Sequence, residues 1–303
     1  MTYRKLGRSG IEVSVVGLGC MTLGLDKSSV ESILRRALDL GVTLFDTADL
    51  YDKGVNEELV GETLHDVRDR VVIATKVGNR WRPDGSGWDW DPTEKYILQA
   101  VHDSLRRLKT DYIDLYQLHG GTMEDPAEET VRAFERLLKD GTIRAWGISS
   151  IRPNVVRRYA TMAESGTAGL STEMVQYNVL DRRPEEEILE TARRAGLGVL
   201  VRGAVAGGIL AGKPPVEYLG LMASEVQAAQ GVLLAITAPY KQMAQKAIRF
   251  ALSHPAVTAV AAGASSVAQV EANVSAADGP PLSEADQRAL REAVRQLAYA
   301  SHR

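Results

Sequence analysis

An α/β fold of the (β/α)8 TIM-barrel class, entered through a short N-terminal β-hairpin, is predicted by three features of this 303-residue chain. Short apolar runs alternate with helix-period segments eight times, no linker or low-complexity tract interrupts the series, and the composition suits a large buried core, being 45% hydrophobic and 25% charged. Apolar strands alternating with amphipathic helices imply a parallel sheet covered by helices, and eight such units favour closure into a barrel. Barrels of this class commonly use about 250 residues or more as one domain, so a single domain over residues 1–303 is expected.

The hairpin is read from Tyr3 to Leu6 and Ile11 to Ser14, which flank the turn-prone Gly7, Ser9 and Gly10. The first barrel strand, Val15–Gly19, precedes Val30, Ile33, Leu34, Ala37 and Leu38, which share one helical face. Thr43–Phe45 follows with a helix from Asn56, then Val71–Ala74 with a helix carrying Ile97, Val101, Leu105 and Leu108. Tyr112–Leu118 and Ala145–Ile148 supply strands four and five, with helices through Phe134 and Tyr159. The last three strands are read at Met174–Tyr177, Gly198–Val201 and Val257–Ala261. Two segments exceed what a barrel requires: Gly78–Pro92, which holds Trp81, Trp88 and Trp90, and Gly212–Pro239. Long segments in compact domains are usually functional or disordered, and the tryptophans suit packing over a barrel end as well as a substrate wall.

A net charge of -3 offers no long-range attraction to nucleic acid or to anionic membranes. A small molecule is the expected partner. Cys20 is the single cysteine, which excludes an intrachain disulfide and fits a reducing compartment. Residues 1–10 have no apolar h-region, and no apolar run approaches the ~20 residues that span a bilayer. A cytoplasmic location is expected.

Active sites of such barrels lie at the C-terminal ends of the strands. Four polar residues stand there: Asp46 after strand two, Tyr51 in the next loop, Lys76 after strand three and His119 after strand four. Residues two apart share a strand face, so Asp46 goes with Leu44, Lys76 with Val72 and Ala74, and His119 with Leu115 and Gln117. Inward faces would bring three ionisable groups together. Pairing offsets much of the cost of burying Lys76 and Asp46, and an ammonium beside Tyr51 is expected to lower its phenol pKa from about 10. Tyr51 would then serve as a general acid. As a purely structural alternative, Asp46 and Lys76 form a barrel ion pair and His119 is a core histidine.

In this order, with Phe45-Asp46-Thr47-Ala48 and Leu118-His119 as local context, the four residues resemble the tetrad of the aldo-keto reductase superfamily. Gly17-Leu18-Gly19, Gly147-Ile148-Ser149-Ser150, Val175-Gln176-Tyr177-Asn178, Gly207-Gly208-Ile209-Leu210 and Gly263-Ala264-Ser265-Ser266 extend the resemblance over nearly the whole chain. It implies reduction of an aldehyde or ketone, with Tyr51 as proton donor, Lys76 and Asp46 tuning it and His119 orienting the carbonyl. The implied cofactor is NADP(H), with NAD(H) as the alternative, and no metal is implied. Its contacts would be Gly19, Cys20, Met21 and Asp46 at the first two strands, and Ser149, Ser150 and Gln176 at the carboxamide. Arg202 would stack on the nicotinamide, where relatives often have an aromatic residue, and Gly203 and Val205 would adjoin it. Gly207, Gly208 and Leu210 would follow the pyrophosphate, and Gly263, Ser265, Ser266, Gln269 and Asn273 the adenosine half. Ser149 and Ser150 equally suit the N-cap of the helix opened by Pro153, and Gly207-Gly208 an ordinary turn.

The sequence departs from the resemblance at two places. Gly120 and Gly121 follow His119 where many relatives carry a Pro-Asp pair, so the short loop to Pro126 would wall the pocket less. No Lys or Arg occurs between Pro255 and Gln287, where relatives commonly hold a 2′-phosphate. A cofactor-binding regulatory protein of the same fold is the second reading, as aldo-keto reductase-like subunits of potassium channels illustrate. A metal-dependent hydrolase is disfavoured by the absence of strand-borne His-x-His pairs.

Overall fold

A computed structural model describes residues 1–236 and 239–303. The chain opens with an antiparallel hairpin, β1 (Tyr3–Lys5) and β2 (Glu12–Ser14). It continues through β3 (Val16–Gly19), α1 (Lys27–Asp39), β4 (Leu44–Asp46), α2 (Val55–Leu64) and β5 (Val72–Val77). A second hairpin, β6 (Asn79–Trp81) and β7 (Trp88–Trp90), leads into α3 (Glu94–Leu108). The alternation resumes with β8 (Ile113–Leu118), α4 (Ala127–Lys139), β9 (Ile143–Ser149), α5 (Pro153–Glu164), β10 (Leu170–Gln176) and α6 (Ile188–Arg194). It closes with β11 (Gly198–Arg202), α7 (Ala223–Ala235), α8 (Met243–Leu252), β12 (Val257–Gly263), α9 (Val267–Val274) and α10 (Glu284–Glu292). Strands β3, β4, β5, β8, β9, β10, β11 and β12 form one closed parallel barrel, the (β/α)8 architecture that the alternation predicts.

Strand alternation divides the apolar residues between two compartments. Leu44, Val72, Ala74, Leu115, Ala145, Met174, Leu200 and Ala259 point inward, and Leu6 and Val13 of the first hairpin join them. The opposite faces, with Phe45, Ile73, Tyr116, Trp146 and Val201 among them, pack against helices. The hairpin thus stoppers the N-terminal end of the barrel. Its turn enters so closely that a Cβ on Gly7 would lie 2.1 Å from Ser171 O and 2.5 Å from Gly198 N, and φ there is +54°. Only glycine meets both demands.

Helix starts follow their caps. Asp26 accepts from Ser29 N at the start of α1, and Thr93 from Tyr96 N at the start of α3. The serines before Pro153 are different: the N-cap of α5 is Arg152, and Ser150 Oγ accepts from Arg152 N one step earlier. The expected Ser149–Ser150 cap is therefore displaced, because Pro153 itself holds the first helical position.

The two long segments are structured. Gly78–Pro92 is the β6–β7 hairpin rather than a loop, and its signal lay in Pro83-Asp84-Gly85, a turn sequence between two tryptophan-bearing runs. Gly212–Pro239 holds α7, with positions 237–238 outside the described residues. Among the described residues no helix is long and apolar enough to cross a membrane.

Helices α2 and α3 meet at Gly61, where an added Cβ would lie 2.5 Å from Leu108 C and Cα. Gly→Ala within a helix ordinarily stabilises by roughly 0.5–1 kcal/mol. Here Gly61→Ala is expected to destabilise by about 1–3 kcal/mol, since the obstructing atoms are backbone. A urea-unfolding midpoint at or above that of the wild type would show that the helices part without cost.

Candidate active site

The C-terminal ends of β4, β5 and β8 meet at one rim. Asp46 is the last residue of β4, Lys76 the penultimate residue of β5, and His119 directly follows β8 with its N–H donating to Val77 O. The register pairs Asp46 with Ala74 and Lys76 with Gln117, which sets Lys76 one step above Asp46 on the same inward face. Lys76 Nζ donates to both Asp46 carboxylate oxygens at 2.8 Å, to Thr47 O at 2.7 Å, and lies 3.5 Å from Tyr51 Oη. Lys76 is 0% exposed and Asp46 4%. Burial at this depth makes each partner obligatory for the other.

Tyr51 opens a short 3-10 turn, Tyr51–Gly54, in which Asp52 and Lys53 adopt left-handed φ of +49° and +56°. Such conformations are uncommon for residues with a Cβ and persist where the surroundings enforce them. The enforcement is visible below the turn. Thr47 Oγ1 donates to Asn56 Oδ1 at 2.7 Å, and Asn56 Nδ2 to Cys20 O at 2.9 Å. Buried Glu57 accepts from Thr75 Oγ1 and Arg107 Nε, which ties the start of α2 to β5 and α3. The His119 ring meets Tyr51 edge-on at 6.2 Å between centroids.

Electrostatics at the rim follow from burial and two cations. Burial resists the Lys76 charge, but Asp46 and Tyr51 together carry its ammonium above the ordinary lysine value. Burial lifts the Asp46 carboxyl, against the pull of Lys76 and Arg202. Tyr51 corrects the sequence expectation: burial raises its phenol pKa, and the Lys76 ammonium offsets that rise without reversing it. The phenol is held protonated. Burial, Lys76 and Arg202 push His119 down to about 3, so its imidazole is neutral near pH 7, with Nδ1 buried and unpaired.

The residues expected along a cofactor occupy the adjoining rim unevenly. Gly19 pairs with Asp46 on one side and Gly263 on the other, and Met21 beside it is exposed. Cys20 turns its thiol into the core and gives its carbonyl to Asn56, so its side chain does not face the rim. Leu210 likewise buries its side chain, because the glycine turn before it aims it at the core. Ser149 ends β9 and Ser150 follows it, both buried. Gln176 is held from three sides: its Oε1 accepts from Arg202 Nη1 at 3.0 Å, and its Nε2 donates to Asp181 at 2.9 Å and Tyr218 Oη at 3.3 Å. Gly203, with φ +68°, lies against Gln176, and Val205 begins the turn that follows.

Gly207 and Gly208 have φ of +66° and +99°, and nothing lies within 4 Å of where a Gly207 Cβ would be. Lys213 folds over Gly208, and its Nζ donates to Gly207 O at 2.8 Å. At α9, Ser266 is the N-cap, Ser265 donates N–H and Oγ to Gln269 Oε1, and Asn273 Nδ2 donates to Gly263 O. A free glycine turn beside a lysine, a capped helix start and an unpaired imidazole nitrogen fit a dinucleotide laid from His119 to α9.

Lys213 and Tyr218 were not legible as site residues, since no local motif marks them. Both lie in the long segment after β11, the one signal that could have found them. The tryptophan hairpin also reaches the rim: Trp81 Nε1 donates to Leu50 O beside Tyr51, and the Trp90 ring closes on Gly78 and Gly120. That supplies a wall where the Gly120-Gly121 loop is short.

The depressed His119 pKa carries a stability consequence. An unfolded histidine binds its proton near 6.5, whereas His119 in the fold stays neutral until about 3, so acidification through that window favours the unfolded chain. Each pH unit costs up to about 1.4 kcal/mol. His119→Gln is therefore expected to flatten the fall in urea midpoint between pH 7 and about pH 4. Parallel curves for variant and wild type would show a histidine that protonates freely.

The profile of the Aldo/keto reductase family matches residues 15–295. The chain is 44% identical to "Uncharacterized oxidoreductase YqkF" of Bacillus subtilis (strain 168), over all of both chains. Among solved structures it is similar to the aldo-keto reductase AKR11C1 from Bacillus halodurans. The holo form gives a TM-score of 0.92 at 43% identity, covering 100% of this chain and 99% of that one. The apo form gives 0.84 at 41% identity with the same coverage. With a closed eightfold barrel, a buried Asp46–Lys76 pair beneath Tyr51 and a family match across nearly its whole length, this chain belongs to the aldo-keto reductase family of oxidoreductases.

Proposed function

We propose that the protein is an NADP(H)-dependent reductase of aldehydes or ketones, with Tyr51 as the general acid. The observation that carries this reading is the line of contacts from Asp46 through Lys76 to Tyr51, beside a neutral His119. A bound nicotinamide would supply the hydride. Tyr51 Oη gives its proton to the carbonyl oxygen as charge develops there, and the Lys76 ammonium stabilises the phenolate that remains. Asp46 keeps Lys76 charged and in place. His119, neutral throughout, orients the carbonyl oxygen by hydrogen bonding and does not compete to deliver a proton. Ser149, Ser150 and Gln176 would hold the carboxamide, Arg202 would lie against the ring, and Gly207, Gly208 and Lys213 would hold the pyrophosphate. Trp81 and Trp90 wall the substrate side.

A positioned general acid contributes typically about 10²–10⁴-fold. Tyr51→Phe is expected to lower kcat on a panel of aldehydes and ketones by that factor, while NADPH affinity by fluorescence titration stays within a few-fold. A variant that keeps its turnover overturns the role of Tyr51. Tight NADPH binding by the wild type without turnover on any carbonyl supports instead a regulatory protein of the same fold.

The adenosine end bears on cofactor choice. Ser265, Ser266 and the first N–H groups of α9 can receive a 2′-phosphate, but no lysine or arginine lies between Pro255 and Gln287 to clamp it. Preference for NADPH over NADH should accordingly be modest. Ser265→Arg is expected to raise the ratio of kcat/KM for the two cofactors about tenfold, by adding a charge-assisted pair. A strong native preference, unmoved by the substitution, would place the phosphate elsewhere.

A further inference from the structure

At the opposite end of the barrel lies a half-open cleft with a cavity volume of about 390 Å³. Arg4 and Lys5 of β1, Arg249 near the end of α8, and His254 line its polar side, with Leu252 and Pro281 on the apolar side. No aspartate or glutamate lines it.

Arg249 is the anomaly. Several arginines held in or against the core have a carboxylate, as Arg68 has Asp114, Arg107 has Glu57 and Arg183 has Asp181, whereas Arg202 at the rim rests on the Gln176 amide. Arg249 is only 9% exposed, yet among the described residues it has no ion-pair partner, and its one side-chain hydrogen bond is from Nε to Tyr240 Oη at 3.2 Å. Its terminal nitrogens are left to the cavity. Arg4 lies beside it at the surface: Nη1 donates to Val257 O at 2.8 Å, and among the described residues no carboxylate meets it. Burial, and after it the nearby Arg249 charge, hold the Arg4 guanidinium below its ordinary value. His254 Nδ1 accepts from Ala256 N, which leaves Nε2 as a donor.

Like charges gathered without a counter-ion cost stability, and the fold carries that cost at a concave site with a greasy wall. We propose that this cavity binds the phosphate group of a small phosphorylated molecule, at a site separate from the catalytic rim. Two guanidiniums offer the forked donors that phosphate oxygens accept, Lys5 adds charge at the mouth, and Leu252 and Pro281 face the organic body. The ligand would sit where β12 begins, while the cofactor residues lie where β12 ends. Occupancy therefore leaves the rim open.

The test is calorimetric titration of the whole protein with AMP and with inorganic pyrophosphate, each with and without saturating NADPH. Binding that persists in NADPH, and that Arg249→Met and Arg4→Met each weaken about tenfold, is expected, because each removes one charge-assisted contact to phosphate. AMP binding more tightly than pyrophosphate assigns the site to organic phosphates, and equal affinities assign it to free phosphate. Arg4 is exposed, so its variant decides the matter if Arg249→Met fails to fold. No binding at millimolar ligand, displacement by NADPH, or unweakened binding in the Arg4 variant would overturn the proposal.

Discussion

A single ammonium, that of Lys76, organises this molecule. It is withdrawn completely from solvent and satisfied by two carboxylate oxygens, one carbonyl and one phenol, all from the segment between Asp46 and Tyr51. Breaking such a pair by removing one partner costs about 3–5 kcal/mol, since a bare charge remains inside. The end of β4 and the turn after it are therefore committed to one geometry. The left-handed Asp52 and Lys53 show what that commitment costs locally, and the Asn56 and Glu57 contacts show how it is met.

The same constraint explains why the two ends of the barrel differ. The inward faces of β4, β5 and β8 are apolar below, at Leu44, Val72, Ala74 and Leu115, and polar above, at Asp46, Lys76 and Gln117, so one strand can serve both packing and a polar site. At the N-terminal end the barrel interior is stoppered by the first hairpin, with Gly7 wedged between β10 and β11. A sealed lower end keeps water from reaching the Lys76 pair from below. That dryness strengthens each interaction at the rim and raises the phenol of Tyr51.

Much of this was legible in the sequence, for reasons of period. The eight strands and their helices follow from apolar spacing, and the convergence of Asp46, Lys76 and His119 follows from parity along β4, β5 and β8. Features that depend on depth or on distant chain were not legible. The direction of the Tyr51 shift needed the degree of burial, which competes with the cation and wins. Cys20 and Leu210 fall at rim positions by motif, yet their side chains turn into the core. Lys213 and Tyr218 reach the rim from a segment with no periodic signal. The tryptophan hairpin was readable in Pro83-Asp84-Gly85 and was obscured only by its position inside an unusually long connection.

Arg202 ties these strands of argument together. Its guanidinium holds Gln176 and lends positive potential to Asp46, Tyr51 and His119. With Lys76 already charged beneath, a third cation at His119 would be repelled twice, and burial opposes it further. The imidazole is neutral because its neighbours are not. In the proposed reaction a neutral donor beside a protonated phenol would divide the labour: one group would orient the oxygen, and the other alone has a proton whose departure a cation supports. In the proposed reduction the two groups would keep separate roles over a broad range of pH, because burial and two cations hold the imidazole down to about 3 and burial holds the phenol above its ordinary value.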